Sequence, residues 1–255
     1  GSAVNLTDVL AYTATFGGGF SATLAVENMT ERRNVVTGFV QTAVLPDIVA
    51  ALRVDQGWGS AQLSAALHEI GSVTGPAQNV STKYGWAVQG GLKLNLPMLA
   101  AGDALYLSAG YASGALSYTG SSQFGQTAGT SGVSARMNNL TFSDAIQYAI
   151  GGVNRMALVN SWQVSGEFLH YWTPTIRQGL WLGYHKVDVP SVITTNFAAV
   201  GNAALRDWSY WQVGTNVIWS PVAGLDIGLE VLYHKATVSG TRQLDLTGTS
   251  LRRLK

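Results

Sequence analysis

Charged side chains are scarce in this sequence, so each is a candidate for chemistry. Only 11% of the 255 residues are Asp, Glu, Lys or Arg. Arg53 and Asp55 stand two apart, which puts them on one face of an extended strand. Lys93, Glu167, Arg177, Asp226 and Glu230 fall on the polar sides of their own segments. Fixed charges of both signs along a wet wall bias passing ions through the local potential, and near-balance of the signs makes the bias weak. The formal net charge of +1 agrees. The bland alternative is that Arg53–Asp55 and similar pairs are salt-bridged wall residues that merely stay hydrated.

Catalytic chemistry finds little support. The four histidines, His68, His170, His185 and His234, lie on four different segments, and none sits in a metal-binding HExxH spacing. With no Cys, disulfides, thiol catalysis and Cys-ligated metals are excluded. Gly17-Gly18-Gly19 follows one extended segment and precedes another, so it has no helix N-terminus with which to hold phosphate. No Ser–His–Asp set stands out at fixed spacing, and such triads assemble in space. The sequence reads as a non-enzyme with no cofactor and no metal. The charge balance gives no footprint for nucleic acid.

The elements that carry these residues have a period of two. From Asp47 to Trp58 the even positions are Ile48, Ala50, Leu52, Val54, Gln56 and Trp58, against Asp47, Val49, Ala51, Arg53, Asp55 and Gly57. Ala61, Leu63, Ala65 and Leu67 alternate with Ser60, Gln62, Ser64, Ala66 and His68. Trp86, Val88, Leu92 and Leu94 alternate with Gly85, Gln89, Gly91 and Lys93, and Leu225, Ile227, Leu229, Val231 and Tyr233 with Asp226, Gly228, Glu230 and His234. Further segments follow the rule with a few exceptions, giving about ten strands of ~9 to 13 residues. Strands of that length cross the hydrocarbon layer when tilted, and they exceed the usual globular strand.

The chain is 47% hydrophobic, yet no run approaches the ~18 to 20 apolar residues of a membrane-spanning helix. Its apolarity is therefore hidden in the alternation. The polar side is mostly Ser, Gly, Ala, Gln, Thr and Asn, too poor in charge for a solvated exterior but suited to the wall of a water channel. Connections alternate in length. Short turns sit at 17–19, 57–59, 97–103, 173–176 and 221–224; longer loops run over 29–46, 71–83, 116–159 and 188–207. That order belongs to an up-and-down barrel with turns on the periplasmic side and loops outside. It requires residues 144–149 to belong to the long external loop, whose Ser-, Thr- and Gly-rich stretch 120–132 reads as a mobile tip. Trp58, Trp172 and Trp219 fall near turns and Trp86, Trp162 and Trp208 near loops, as two interfacial girdles would. The alternative is that these indoles fill a soluble core.

Three segments resemble the alphaproteobacterial general porins: LPDIVAALRVDQGWGSAQLSAALHEI (45–70), HYWTPTIRQGLWLGY (170–184) and DWSYWQVGTNVIWSPVAGLDIGLEVLYHK (207–235). The likeness extends over most of 5–235. It implies a trimeric, transmembrane antiparallel β-barrel of about sixteen strands in the outer membrane of a Gram-negative bacterium. About ten of those strands would be present here, as a single domain, 1–255. The implied activity is passive diffusion of small hydrophilic solutes and ions, with outer-membrane lipid and lipopolysaccharide as surroundings. The resemblance also suggests a basic wall, for which Arg53 and Lys93 are first choices, facing an acidic constriction loop outside this sequence.

Two departures stand against the family pattern. The chain ends at Leu254-Lys255 without a terminal aromatic strand, and the first strand resembles one that follows the constriction loop. Both fit an internal fragment; a complete ten-stranded barrel is the alternative. Gly1-Ser2-Ala3-Val4-Asn5 has neither a basic start nor an apolar core, so an export signal is removed or absent from this stretch. Glu31-Arg32-Arg33, in an outside loop, suits lipopolysaccharide phosphates, a neighbouring subunit or plain solvent. Two other classes remain open: a plugged or adhesive outer-membrane barrel, and a soluble ligand-binding barrel.

Overall fold

A computed structural model describes residues 7–34, 41–42, 44–75, 78–120, 143–195, 206–239, 243–244 and 251–252. Its strands, in chain order, begin with β1 (Val9–Gly17), β2 (Phe20–Glu27), β3 (Gln41–Thr42), β4 (Asp47–Gln56) and β5 (Gly59–Ile70). Then come β6 (Ser72–Gly75), β7 (Gln78–Val80), β8 (Lys83–Asn95), β9 (Ala104–Ser113), β10 (Ala145–Ile150) and β11 (Val153–Leu158). The series continues with β12 (Asn160–Thr173), β13 (Ile176–Asp188), β14 (Trp208–Val222) and β15 (Leu225–Val238).

Ten of them form one antiparallel sheet in the order β1-β2-β4-β5-β8-β9-β12-β13-β14-β15. Every neighbour in that order is also the next large strand along the chain, so the sheet meanders without a crossover. Short turns close β1–β2, β4–β5, β8–β9, β12–β13 and β14–β15; long connections join the pairs. This is the alternation expected of an up-and-down transmembrane barrel. Among the described residues β1 and β15 form its two edges. No described helix is long and apolar enough to cross a membrane.

Period-two alternation sorts side chains onto two faces. Leu24, Leu52, Leu63, Leu107, Leu182 and Leu229 share one face and are 44–75% exposed. An apolar belt of that extent is a liability in water and a requirement in lipid, where only closed backbone hydrogen bonding is tolerated. The opposite face is concave: Arg53 on β4, Lys93 on β8, Glu167 on β12 and Gln212 on β14 line one trough of about 640 Å³.

Most of the buried apolar residues cluster at the loop end. The described ends of the long 116–159 connection fold back over the inner wall there. A 3₁₀ turn (Leu116–Thr119) lies against Ala66, Ala87 and Ala112, small residues on the inner faces of β5, β8 and β9. Gly85 permits the approach, because a Cβ there would run into the Gly114 carbonyl. The stretch 145–158, which the sequence assigns to the loop, forms the β10–β11 hairpin, a two-stranded sheet apart from the barrel. Leu116, Ile146, Val159, Val187, Val189, Ile193 and Trp208 make its core, and Ile70, Val80, Ala145 and Met156 a second one. The expected mobile tip, 120–132, lies outside the described residues except for Gly120.

Candidate functional site

The inner wall divides into an open middle and a covered mouth. In the middle, Arg53 reaches along its own strand to Asp55 in a two-pronged ion pair, Nε–Oδ2 2.7 Å and Nη2–Oδ1 2.6 Å. Near the turn end Arg177 on β13 bonds Asp226 on β15 at 2.6 Å and Ser220 at 2.9 Å, and Ser220 donates to the other Asp226 oxygen at 2.5 Å. Lys93, Glu167 and Glu230 form no ion pair among the described residues. Lys93 Nζ instead lies 5.6 Å from the centre of the Tyr106 ring. Arg53, Lys93 and Glu167 thus share one trough, whereas Arg177, Asp226 and Glu230 lie outside its lining. The rest of that wall mixes the hydroxyls and amides of Ser60, Gln62, Ser64, Gln89, Ser108 and Ser165 with atoms of Leu92, Leu107 and Leu182.

The mouth is chemically different. Asp47 and His68 face each other across β4 and β5, with His68 Nδ1 2.8 Å from Asp47 Oδ1, and both side chains are fully buried. Tyr118 from the 3₁₀ turn donates its O–H to Asp47 Oδ2 at 2.7 Å. Asp144, at the far end of the long connection, accepts the N–H of Leu116 and of Asn34, each at 2.7 Å, and its Oδ2 lies 3.6 Å from His68 Nε2. Burial pushes the Asp144 carboxyl above the usual range, against the pull of His68 and the two N–H donors. Burial likewise pushes the Tyr118 phenol up, reinforced by the charges of Asp47 and Glu27. Arg32 pairs with Glu27 at 2.7 Å and lies 5.2 Å from the centre of the Tyr118 ring. Within Glu31-Arg32-Arg33, Arg32 is thereby turned into the mouth, and Glu31 accepts the N–H of Asp8.

Five of the six sequence-predicted girdle tryptophans lie at the outer surface. Trp58 sits in the β4–β5 turn, and Trp172 and Trp219 lie near turns on the outer face; all three are exposed. Trp86 and Trp162 lie near the loop end, their rings tilted against those of Tyr111 and Tyr184 with centroids 5.4 and 5.0 Å apart. Trp208 is a correction. It is 1% exposed, on the inner face, packed against His185 and covered by the folded-back loop. Trp211, of opposite parity on the same strand, takes the outer position and pairs with Tyr233 at 5.3 Å. Position near a strand end suggested Trp208; parity along β14 identifies Trp211.

The turn end carries one more polar knot. Asp103 accepts the Tyr171 N–H at 2.8 Å and faces His170 Nδ1 at 2.7 Å, fixing the 96–103 turn to β12. Desolvation raises its pKa, but the His170 ring and the Tyr171 N–H outweigh it and hold Asp103 below its ordinary value.

An alternating sheet, an apolar exterior, an inner face set with polar and charged groups and outward aromatic pairs describe a membrane channel wall. The sequence profile of the porin subfamily matches residues 1–250. The chain belongs to the porin subfamily. Among solved structures it is similar to the outer membrane channel DcaP of Acinetobacter baumannii, with a TM-score of 0.63 at 19% identity. The match covers 90% of this chain and 56% of that one, so the chain spans little more than half the channel's length. At that identity the likeness speaks for the porin fold. No curated relative matches the sequence.

Proposed function

We propose that this chain forms the larger part of an outer-membrane porin through which small hydrophilic solutes and ions diffuse passively. The observation that carries it is the continuous trough from β4 to β14, set with Ser, Gln and charged side chains, on the reverse side of an apolar belt. In this reading the barrel sits in the outer membrane of a Gram-negative bacterium, among lipid and lipopolysaccharide, and works as a homotrimer. Arg53, Asp55, Lys93, Glu167, Arg177, Asp226 and Glu230 line the lumen. Two ion pairs cancel four of these charges, which leaves Lys93 against Glu167 and Glu230 and therefore a slight preference for cations. Outward Trp58, Trp86, Trp162, Trp172, Trp211 and Trp219 anchor the two interfaces, where an indole's apolar body and polar N–H are both satisfied.

One observation favours a second reading, a plugged or adhesive barrel: the 3₁₀ turn and the β10–β11 hairpin occupy the inner wall at the mouth. Conductance across a planar lipid bilayer separates the two. The diffusion channel gives discrete, ohmic steps, grouped in threes for a trimer, with a reversal potential slightly toward the cation value. A protein that inserts but passes no current supports the plugged barrel and overturns the channel.

A further inference from the structure

Strand register sets a row of unlike side chains across the middle of the inner wall. Lys93 on β8 is opposite Tyr106 on β9, Tyr106 opposite Glu167 on β12, Glu167 opposite Trp181 on β13, and Trp181 opposite Gly214 on β14. Adjacent strands are ~4.8 Å apart, so the Lys93 and Glu167 backbones stand about 10 Å apart with the Tyr106 ring between them. That ring engages the Lys93 ammonium. Glu167 is exposed, with no ion pair among the described residues. Trp181 lies over the bare backbone of Gly214, where a Cβ would collide with its indole. All four side chains line the same trough, with Ser165 and Gln212 on the neighbouring row.

The row offers, in order, a cation, a π face, an anion and a second π face. Its two charges are too far apart at the backbone to be held in the tight geometry of Arg53–Asp55, so each keeps capacity for a solute. A small zwitterion matches this array. Its carboxylate meets Lys93 and its ammonium meets Glu167 beside the Trp181 face, where a cation is further attracted. Ser165 and Gln212 supply hydrogen bonds to an amide lying between the two ends. A free amino acid carries its charges too close together to reach both groups, and a dipeptide spans the gap.

We infer that the Lys93–Tyr106–Glu167–Trp181 row is a weak orienting subsite for zwitterions of dipeptide size. This rests on the diffusion-channel reading above. The test uses the intact protein in planar bilayers and the zwitterionic dipeptide Ala–Phe, with its N-acetylated, C-amidated form as the uncharged control of similar size. Each variant's own solute-free current is the reference.

The expected result is a concentration-dependent fall in current with Ala–Phe. The blocked form should need about tenfold more for the same fall, and Glu167→Gln and Lys93→Gln should each weaken the Ala–Phe effect severalfold, up to about tenfold. Equal effects of the charged and blocked dipeptides, or variants that respond as the parent does, would overturn the subsite and leave the channel standing. An inserted protein with no current at all would overturn both.

Discussion

Ser161 and Ser165 are the same residue type on the same strand and the same inner face, four positions apart. Ser161 is fully buried, its hydroxyl 2.5 Å from that of Thr119 in the folded-back loop. Ser165 is exposed in the trough, 2.9 Å from the Ser108 hydroxyl of the next strand. The wall is thus similar in both places, and only its cover differs. Under the cover every polar group needs a partner inside the protein, because leaving one unmet costs its full desolvation. That is why Asp47, His68, Tyr118 and Asp144 interlock at the mouth. In the open middle water can meet that need, and Lys93 and Glu167 stand there without an ion pair among the described residues. Charges at the mouth hold structure; in the proposed channel, charges in the middle act on what passes.

The largest effect should come from Asp144→Ala, which strips two backbone N–H groups of their acceptor and leaves His68 facing an empty space. Breaking a buried, hydrogen-bonded charge cluster costs about 3–5 kcal/mol. Hydrogen exchange in 145–158 should accelerate accordingly while the strands β12 to β15 keep their protection; uniform loss across the barrel would blur the distinction between mouth and wall. Tyr118→Phe should follow at about 1.5–3 kcal/mol, since it removes the hydroxyl that bonds Asp47 at 2.7 Å and reaches Glu27 at 3.3 Å, and keeps the ring beneath Arg32. Its readout is the same exchange profile, and an unchanged profile would mean that the 3₁₀ turn is not held through Asp47.

A smaller effect is expected at the turn end and carries a pH signature. Asp103 has a lowered native pKa, so its contribution is present above the unfolded value of about 3.9 and is lost as pH falls through the lowered native one. Asp103→Asn should therefore lower the thermal midpoint at pH 7, and the gap from the parent should close in acid. A gap that persists there would remove the carboxylate from the explanation. The smallest stability change is expected for Asp55→Asn in the open wall, where solvent screens the pair. Its mark is electrical: the freed Arg53 cation should move the reversal potential toward anion preference. A shift toward cations would contradict the pairing of Arg53 with Asp55.

Much of this architecture is legible in the sequence because a period of two fixes which face every side chain takes. The short turn at Gly57-Trp58 even sets the hairpin register, so that Asp47 must stand opposite His68, a pairing available from the sequence. The Lys93–Tyr106–Glu167–Trp181 row follows from turn positions in the same way. Two features are not written in any spacing. Asp144 meets His68 only because a long connection folds back over the alanines of the inner wall, a tertiary event between distant segments. Trp208 is buried for the same reason, and its proximity to a strand end pointed to the interface when its parity pointed inward.

The contrast between covered mouth and open middle is tested most directly by thiol labelling, since the chain has no Cys to give a background. Ser161→Cys and Ser165→Cys are near-isosteric changes on one face of one strand, read with a small hydrophilic thiol reagent on the membrane-inserted protein. Rapid labelling of the Ser165→Cys protein is expected, with strong protection of the Ser161→Cys protein that Asp144→Ala relieves. Equal rates at both positions with the mouth intact, or a protected cysteine at position 165, would contradict a wall that is covered at the mouth and open to water in the middle.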